Sequence, residues 1–133
     1  MIRAISLHYK KSKRNLPWRP ASHKATQGKP NPYHILVSEI MLQQTQVERV
    51  IPFYKKFIKE FPTAKVLART TLSDVLKIWS GLGYNRRAKF LHEAGKILSK
   101  NGFPTTVKEI ETLPGVGHYT ARAIAAFAFN HPS

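Results

Sequence analysis

Cysteine is absent from the 133 residues. That removes disulfides, a thiolate nucleophile and any cysteine-held zinc or iron-sulfur cluster from the chemistry of this chain. Acidic side chains are scarce, 7 against 22 Lys and Arg, which leaves a formal charge of +15. Solubility needs far less, so the excess points to a polyanionic partner, with nucleic acid first and a generically basic protein as the plainer alternative. Long apolar runs are also missing. Residues 123–129 form the longest, too short to cross a bilayer, and no apolar segment with a small-residue cleavage site opens the chain, so a soluble intracellular protein with no membrane partner is expected. The 6 histidines are scattered, with no pair four residues apart on a helix face, which argues against a histidine metal site.

What remains is patterned for helices. Apolar residues recur at helical spacing and no segment alternates like a strand, so the chain reads as all-α, one domain over residues 1–133. A chain of this length buries roughly two thirds of its unfolded surface, enough for a core without staples. Residues 1–10 read as an amphipathic helix using Ile2, Ile5 and Tyr9, and residues 14–30, with Pro17, Pro20, Gly28 and Pro30, as a loop. Asn31 and Pro32 then signal a helix start, with the helix running to about Gln44. Thr45 with Glu48 reads as a capping box opening a helix to Phe61, kinked near Pro52. Thr63 and Thr71 read as N-caps of two short helices, and residues 86–100 as a helix closed by Asn101-Gly102. Thr106 with Glu109 is a second capping box, followed by a stop at Pro114 and an alanine-rich helix from about His118 to Asn130.

Two features carry chemistry. Leu113-Pro114-Gly115-Val116-Gly117 joins two helices through a turn whose glycines permit positive φ and close approach of another backbone. Unpaired N–H groups at the start of the next helix, with its dipole, suit one phosphate of a nucleic-acid strand, and His118 and Arg122 stand in the first turns. The second feature is Glu39, set beside Ser38 in the otherwise apolar stretch 33–42. A buried carboxylate there must be salt-bridged, protonated with a raised pKa, or turned toward a cavity that a substrate fills. Trp18 and Trp79 read as packing aromatics rather than base stackers. Arg86, Arg87 and Lys89 read as facing phosphates.

The run Leu-Pro-Gly-Val-Gly before an alanine-rich helix resembles the helix-hairpin-helix of the DNA glycosylase superfamily. Leu16-Pro17-Trp18-Arg19, Asn31-Pro32-Tyr33 and Ser38-Glu39-Ile40-Met41-Leu42-Gln43-Gln44-Thr45-Gln46-Val47 are similar, in order and spacing, to the signature of MutY-type adenine DNA glycosylases. The resemblance implies a six-helix barrel-like domain carrying the hairpin motif at residues 106–130. It implies that Glu39 protonates the ring of an adenine turned out of duplex DNA, opposite 8-oxoguanine or guanine, with cleavage through an oxocarbenium-like transition state. It implies DNA contacts by Gln43, Gln44 and Thr45, with Gln44 entering the base stack, and a wedge formed by Gly83 and Tyr84. Arg86, Gly115, Val116, Gly117, His118 and Arg122 would contact the strand, and the carbonyls of Glu111, Leu113 and Val116 would hold a monovalent cation. A nucleoid-associated place in the cell follows from such a role.

Relatives of the endonuclease III type carry a nucleophilic lysine two residues past the second hairpin glycine; here that position is Tyr119, which favours a monofunctional glycosylase with Tyr119 in the catalytic pocket. Thymine-mismatch relatives lack this Glu and the Gln43-Gln44-Thr45 run, which favours adenine. Asn85 stands where a second tyrosine is common. The family's Asp-Gly-Asn-Val-like segment, its 4Fe-4S cysteines and its 8-oxoguanine-recognising domain have no counterpart here. The expectation is therefore an N-terminal portion of such an enzyme, with no cofactor of its own, no obligate protein partner, and self-association through apolar surface left uncovered. A non-catalytic DNA-binding fragment is the competing expectation.

Overall fold

The computed structural model describes residues 31–43 and 45–129. The readings made for residues 1–30, Gln44 and Asn130 lie outside them. Among the described residues seven helices follow one another: α1 Pro32–Leu42, α2 Val47–Glu60, α3 Ala64–Arg69, α4 Leu72–Trp79, α5 Asn85–Asn101, α6 Val107–Ile110 and α7 His118–Phe129. No strand occurs among the described residues, as the absence of alternating patterns implies. None of the described helices is long and apolar enough to cross a membrane.

α1 starts where its sequence signals say. The Asn31 side chain accepts from the backbone N–H of Tyr33 and His34, and Pro32 occupies the first turn, where its missing N–H costs nothing. Tyr33 and every residue from 35 to 41 are buried, so α1 is a central helix covered on nearly all sides. It packs against α2, α5 and α7. α2 instead buries one stripe, Val47, Val50, Tyr54 and Phe57, at the three-and-four spacing of an amphipathic helix, and passes Pro52 as one continuous helix. Each such side chain contributes about 1.5–3 kcal/mol when taken out of water.

Thr63 and Thr71 cap α3 and α4 through their hydroxyls, accepting from Val66 and Asp74. Thr106 caps α6, its hydroxyl accepting from the Glu109 N–H at 3.2 Å and donating to the Glu109 carboxylate at 3.1 Å, so the two residues expected to form a box do pair, through the hydroxyl. The box expected at Thr45 and Glu48 does not form. Gln46, one residue later, is the N-cap residue of α2 and makes no side-chain cap bond, while the Thr45 hydroxyl accepts from Arg87 and donates to the Gln43 carbonyl. α3 and α5 pack closely at Gly95, where a Cβ would lie 2.8 Å from Leu67 Cδ2. Among the described residues, Tyr84 and Ile97 are the large hydrophobic side chains left exposed.

Candidate active site

Glu39 lies on the central helix α1 and is 5% exposed, and its neighbour Ser38 is fully buried. Ser38 needs no outside partner, since its hydroxyl donates to the Ile35 carbonyl at 2.7 Å within its own helix. Glu39 differs. Burial first, and the Glu39 carboxylate second, push the Tyr119 phenol above its usual pKa, so the two side chains feel one another across the α1–α7 packing. The carboxyl that sequence reading singled out therefore sits beside the helix that leaves the glycine turn. A second tie joins the same elements, because the Gln43 side-chain amide donates to the Gly115 carbonyl at 3.1 Å.

The turn itself departs in one respect from expectation. Gly115 has φ of 82°, and a Cβ there would meet Phe90 Cβ at 2.9 Å, so glycine is required both by conformation and by packing. Gly117 is not in the positive-φ region, and a Cβ on it would meet nothing within 4 Å. Its lack of a side chain leaves open space rather than enabling the turn. Val116 between them is buried, and its N–H is already bonded to the Leu113 carbonyl at 3.1 Å, so of its main chain only the carbonyl is left uncommitted by this turn. His118 and Arg122 are exposed at the start of α7, and His118 Nδ1 lies 3.0 Å from Glu111 Oε1.

The carbonyls of Glu111, Leu113 and Val116 border this turn as an uncharged oxygen set of the kind that suits a hard monovalent ion. Of these, the Leu113 carbonyl accepts from the Val116 N–H at 3.1 Å and keeps a second lone pair. No group of three or more His, Cys, Asp or Glu suited to a metal occurs among the described residues.

The loop before α5 is the second exposed element. Gly81 and Gly83 have φ of 94° and 89°, and Tyr84 is the one described non-glycine residue with positive φ, at 55°. It is 59% exposed and, although it is the N-cap residue of α5, its side chain makes no cap bond, so the ring is neither core nor cap. Trp79, by contrast, is fully buried, and its indole N–H donates to the Gly83 carbonyl at 3.0 Å. Arg86 and Lys89 are exposed and line, with Leu72, Leu76, Asn85 and Phe90, a shallow cleft between α4 and α5.

Arg87 does not face a phosphate. It is 8% exposed, and its guanidinium donates to the carbonyls of Ile40 at 3.0 Å, Met41 at 2.8 Å, Gln43, and Gly83 at 3.3 Å, and to the Thr45 hydroxyl at 3.1 Å. Basic residues on neighbouring positions look alike in sequence, and only packing separates 86 and 89 from 87. A signal was nonetheless present: the last turn of α1 has no basic residue and ends without glycine, so its orphan carbonyls needed a donor from elsewhere. The side chains of Gln43 and Thr45, read as DNA contacts, both take part in this internal network.

Two helices joined by a glycine turn, beside a buried carboxyl and in a chain of strong positive charge, define a helix-hairpin-helix protein. Residues 37–132 match the HhH-GPD superfamily base excision DNA repair protein family, and the chain belongs to it. It is 49% identical over 121 residues to the adenine DNA glycosylase of Buchnera aphidicola subsp. Baizongia pistaciae (strain Bp), covering 89% of this chain and 32% of that protein. Against the adenine DNA glycosylase of Mycobacterium tuberculosis (strain ATCC 25618 / H37Rv) identity is 42% over 124 residues, covering 91% and 38%. The human protein of that name is 42% identical over 125 residues, covering 91% and 23%. The chain thus spans between 23% and 38% of the length of these relatives. Among solved structures, a thermostable thymine-DNA glycosylase superposes with a TM-score of 0.75 at 29% identity, covering 97% of this chain and 58% of that one. A trapped endonuclease III–DNA covalent intermediate superposes with a TM-score of 0.74 at 20% identity, covering 100% and 62%, a likeness of fold.

Proposed function

We propose that this chain belongs to a monofunctional DNA N-glycosylase of base-excision repair that removes adenine mispaired with 8-oxoguanine or guanine. The observation that carries the reading is the placement of Glu39, buried on α1, within electrostatic reach of Tyr119 on the hairpin's second helix. Relatives named adenine DNA glycosylase at 40–49% identity support the substrate class.

The chemistry follows from the parts. Main-chain N–H groups of the hairpin other than that of Val116, with Arg122, grip one phosphate, and a monovalent ion held by the carbonyls of Glu111, Leu113 and Val116 would add its charge, which fixes the strand without reading its sequence. Tyr84 fills the gap left when the base turns out, offsetting a few kcal/mol of lost stacking. A carboxyl group withdrawn from water holds its proton more tightly than an exposed one, which suits an acid that must arrive protonated. Glu39 gives that proton to the purine ring, the electrons of the C1′–N9 bond leave with the base, and water adds to the sugar cation while losing a proton to the Glu39 carboxylate, which restores the acid. Tyr119, at the position where lyase relatives carry lysine, offers no amine for a Schiff base, so the product is an abasic site with an intact strand.

The test is strand scission after hot alkali on duplexes carrying adenine opposite 8-oxoguanine, guanine or thymine, with this chain and with the gene product to which it belongs. Glu39→Gln is expected to lower base release by about a hundredfold or more, the usual worth of a positioned general acid, while duplex affinity stays unchanged. Loss of affinity together with activity would make Glu39 structural. Salt-dependent binding without base release from any of these proteins would leave only a DNA-binding module.

A further inference from the structure

We propose that Arg87 is a positioning residue whose buried guanidinium clamps the loop after α1 to the loop before α5, so that the glycine turn, the acid-bearing helix and Tyr84 meet DNA as one rigid body. This rests on the reading of Tyr84 as the side chain that enters the duplex.

Three separate stretches converge on one side chain. The carbonyls of Ile40, Met41 and Gln43 belong to the end of α1, the Thr45 hydroxyl to the loop that follows, and the Gly83 carbonyl to the turn 40 residues on. Ile40 and Met41 lie in the last turn of α1, where the helix dipole also favours a cation, and the Ile40 carbonyl accepts from the Gln43 N–H as well. From Gln43 the connection continues, since its carbonyl takes Arg87 while its side chain donates to Gly115 at 3.1 Å. One polar chain therefore runs from hairpin to Gln43, to Arg87, to Gly83.

The neighbours show how tightly the geometry is imposed. Tyr84, held at a φ that non-glycine residues rarely adopt, lays its ring over the guanidinium at 5.0 Å, and the buried Trp79 ring lies 5.8 Å away on the same group. Arg87 Nε is the one buried side-chain nitrogen or oxygen among the described residues without a hydrogen-bond partner. Leaving a charged group's donor unpaired is costly, so the fork is oriented by its two terminal nitrogens at the expense of the third. Lysine offers a single point of charge on a flexible stem and cannot span these acceptors at once.

The experiment compares wild type, Arg87→Lys, Thr45→Val and Tyr84→Ala in amide hydrogen exchange, duplex affinity, and the fluorescence of 2-aminopurine placed beside the mismatch. Arg87→Lys should speed exchange in both segments 43–45 and 82–84 by roughly ten- to hundredfold, the equivalent of losing one hydrogen bond to a charged group, with α3 and α4 unchanged. Thr45→Val, which keeps the arginine, should do the same to a smaller degree and serves if the lysine variant does not fold. Arg87→Lys should also reduce the 2-aminopurine signal at unchanged duplex affinity. Faster exchange in one of the two loops alone, or equally across the whole chain, would overturn the clamp. Should Tyr84→Ala leave the 2-aminopurine signal intact, the wedge reading of Tyr84 fails, and the exchange comparison still decides the clamp by itself.

Discussion

The turns at residues 81–84 and 115–118 are built on one plan and put to opposite uses. Each is Gly-x-Gly at the entrance to a long helix, with a buried apolar residue between the glycines, Leu82 in one and Val116 in the other. In each, the first glycine has positive φ and presses on a phenylalanine, Phe53 for Gly81 and Phe90 for Gly115, while the second faces open space. The second glycines then diverge. Gly83 keeps a positive φ and hands it on to Tyr84, which projects a ring into solvent. Gly117 does not, and leads directly into α7 with its carbonyl accepting from Ala121 at 2.9 Å. One turn presents a side chain, the other presents main chain, and a small change in backbone at one position makes the difference.

The strongest way to break the pairing is at the first glycines. Gly115→Ala forces a left-handed alanine whose Cβ would sit 2.9 Å from Phe90 Cβ, an atom fixed to the α5 backbone. Backbone strain and overpacking together should cost about 2–4 kcal/mol in the denaturant midpoint. Gly81→Ala meets only Phe53 Cζ at 3.3 Å, the far end of a ring that can tilt, and should cost about half as much, close to the strain alone. Equal losses would mean that packing behind the two turns is interchangeable.

The second glycines sharpen the contrast. Gly83→Ala keeps a strained φ and should lose about 1–3 kcal/mol of stability. Gly117→Ala adopts its backbone freely and should lose about 1 kcal/mol or less, the difference between glycine and alanine at a helix start. It should nonetheless weaken duplex binding by about tenfold, since a methyl group enters the space through which a phosphate approaches main chain. Fluorescence anisotropy at fixed salt, set beside thermal melting, separates the two. If Gly83→Ala proves the weaker DNA binder and Gly117→Ala the less stable fold, the assignment of the turns is reversed.

Much of this plan was legible in the sequence because the signals were local. Asn31-Pro32, Thr63, Thr71 and Thr106 each cap through atoms within three residues, and each works as read. Glu39 stood out because a carboxyl in a run apolar on every face has few places to go, and the buried α1 is that run. Thr45 and Arg87 were misread for the opposite reason. The Thr45 hydroxyl is committed to a side chain 42 positions away, which overrides its local capping preference. Arg87 lies between exposed basic neighbours, and nothing in its own stretch shows that α1 lacks a cation at its end. Gly117 was credited with a backbone conformation because Gly115 beside it has one. Local chemistry was readable, and the long-range claims on it were not.

The smallest expected effect concerns the tyrosines that follow the two turns. Tyr84 points outward, whereas Tyr119 is half-buried, and burial and then the Glu39 carboxylate raise its pKa. A phenol whose folded pKa is raised keeps its proton in the native state, so its contribution to stability is complete below about pH 10 and is lost as pH rises beyond that value. Glu39→Gln removes the charge and leaves the burial. In an ultraviolet or NMR titration of phenolate formation, the Tyr119 pKa should therefore fall in this variant yet stay above the ordinary value, because the larger of its two causes remains. This measurement needs neither DNA nor activity. No change in the Tyr119 titration would mean that the carboxyl does not act on the hairpin helix, and the two turns would then share only a way of bending the chain, with no acid held between them.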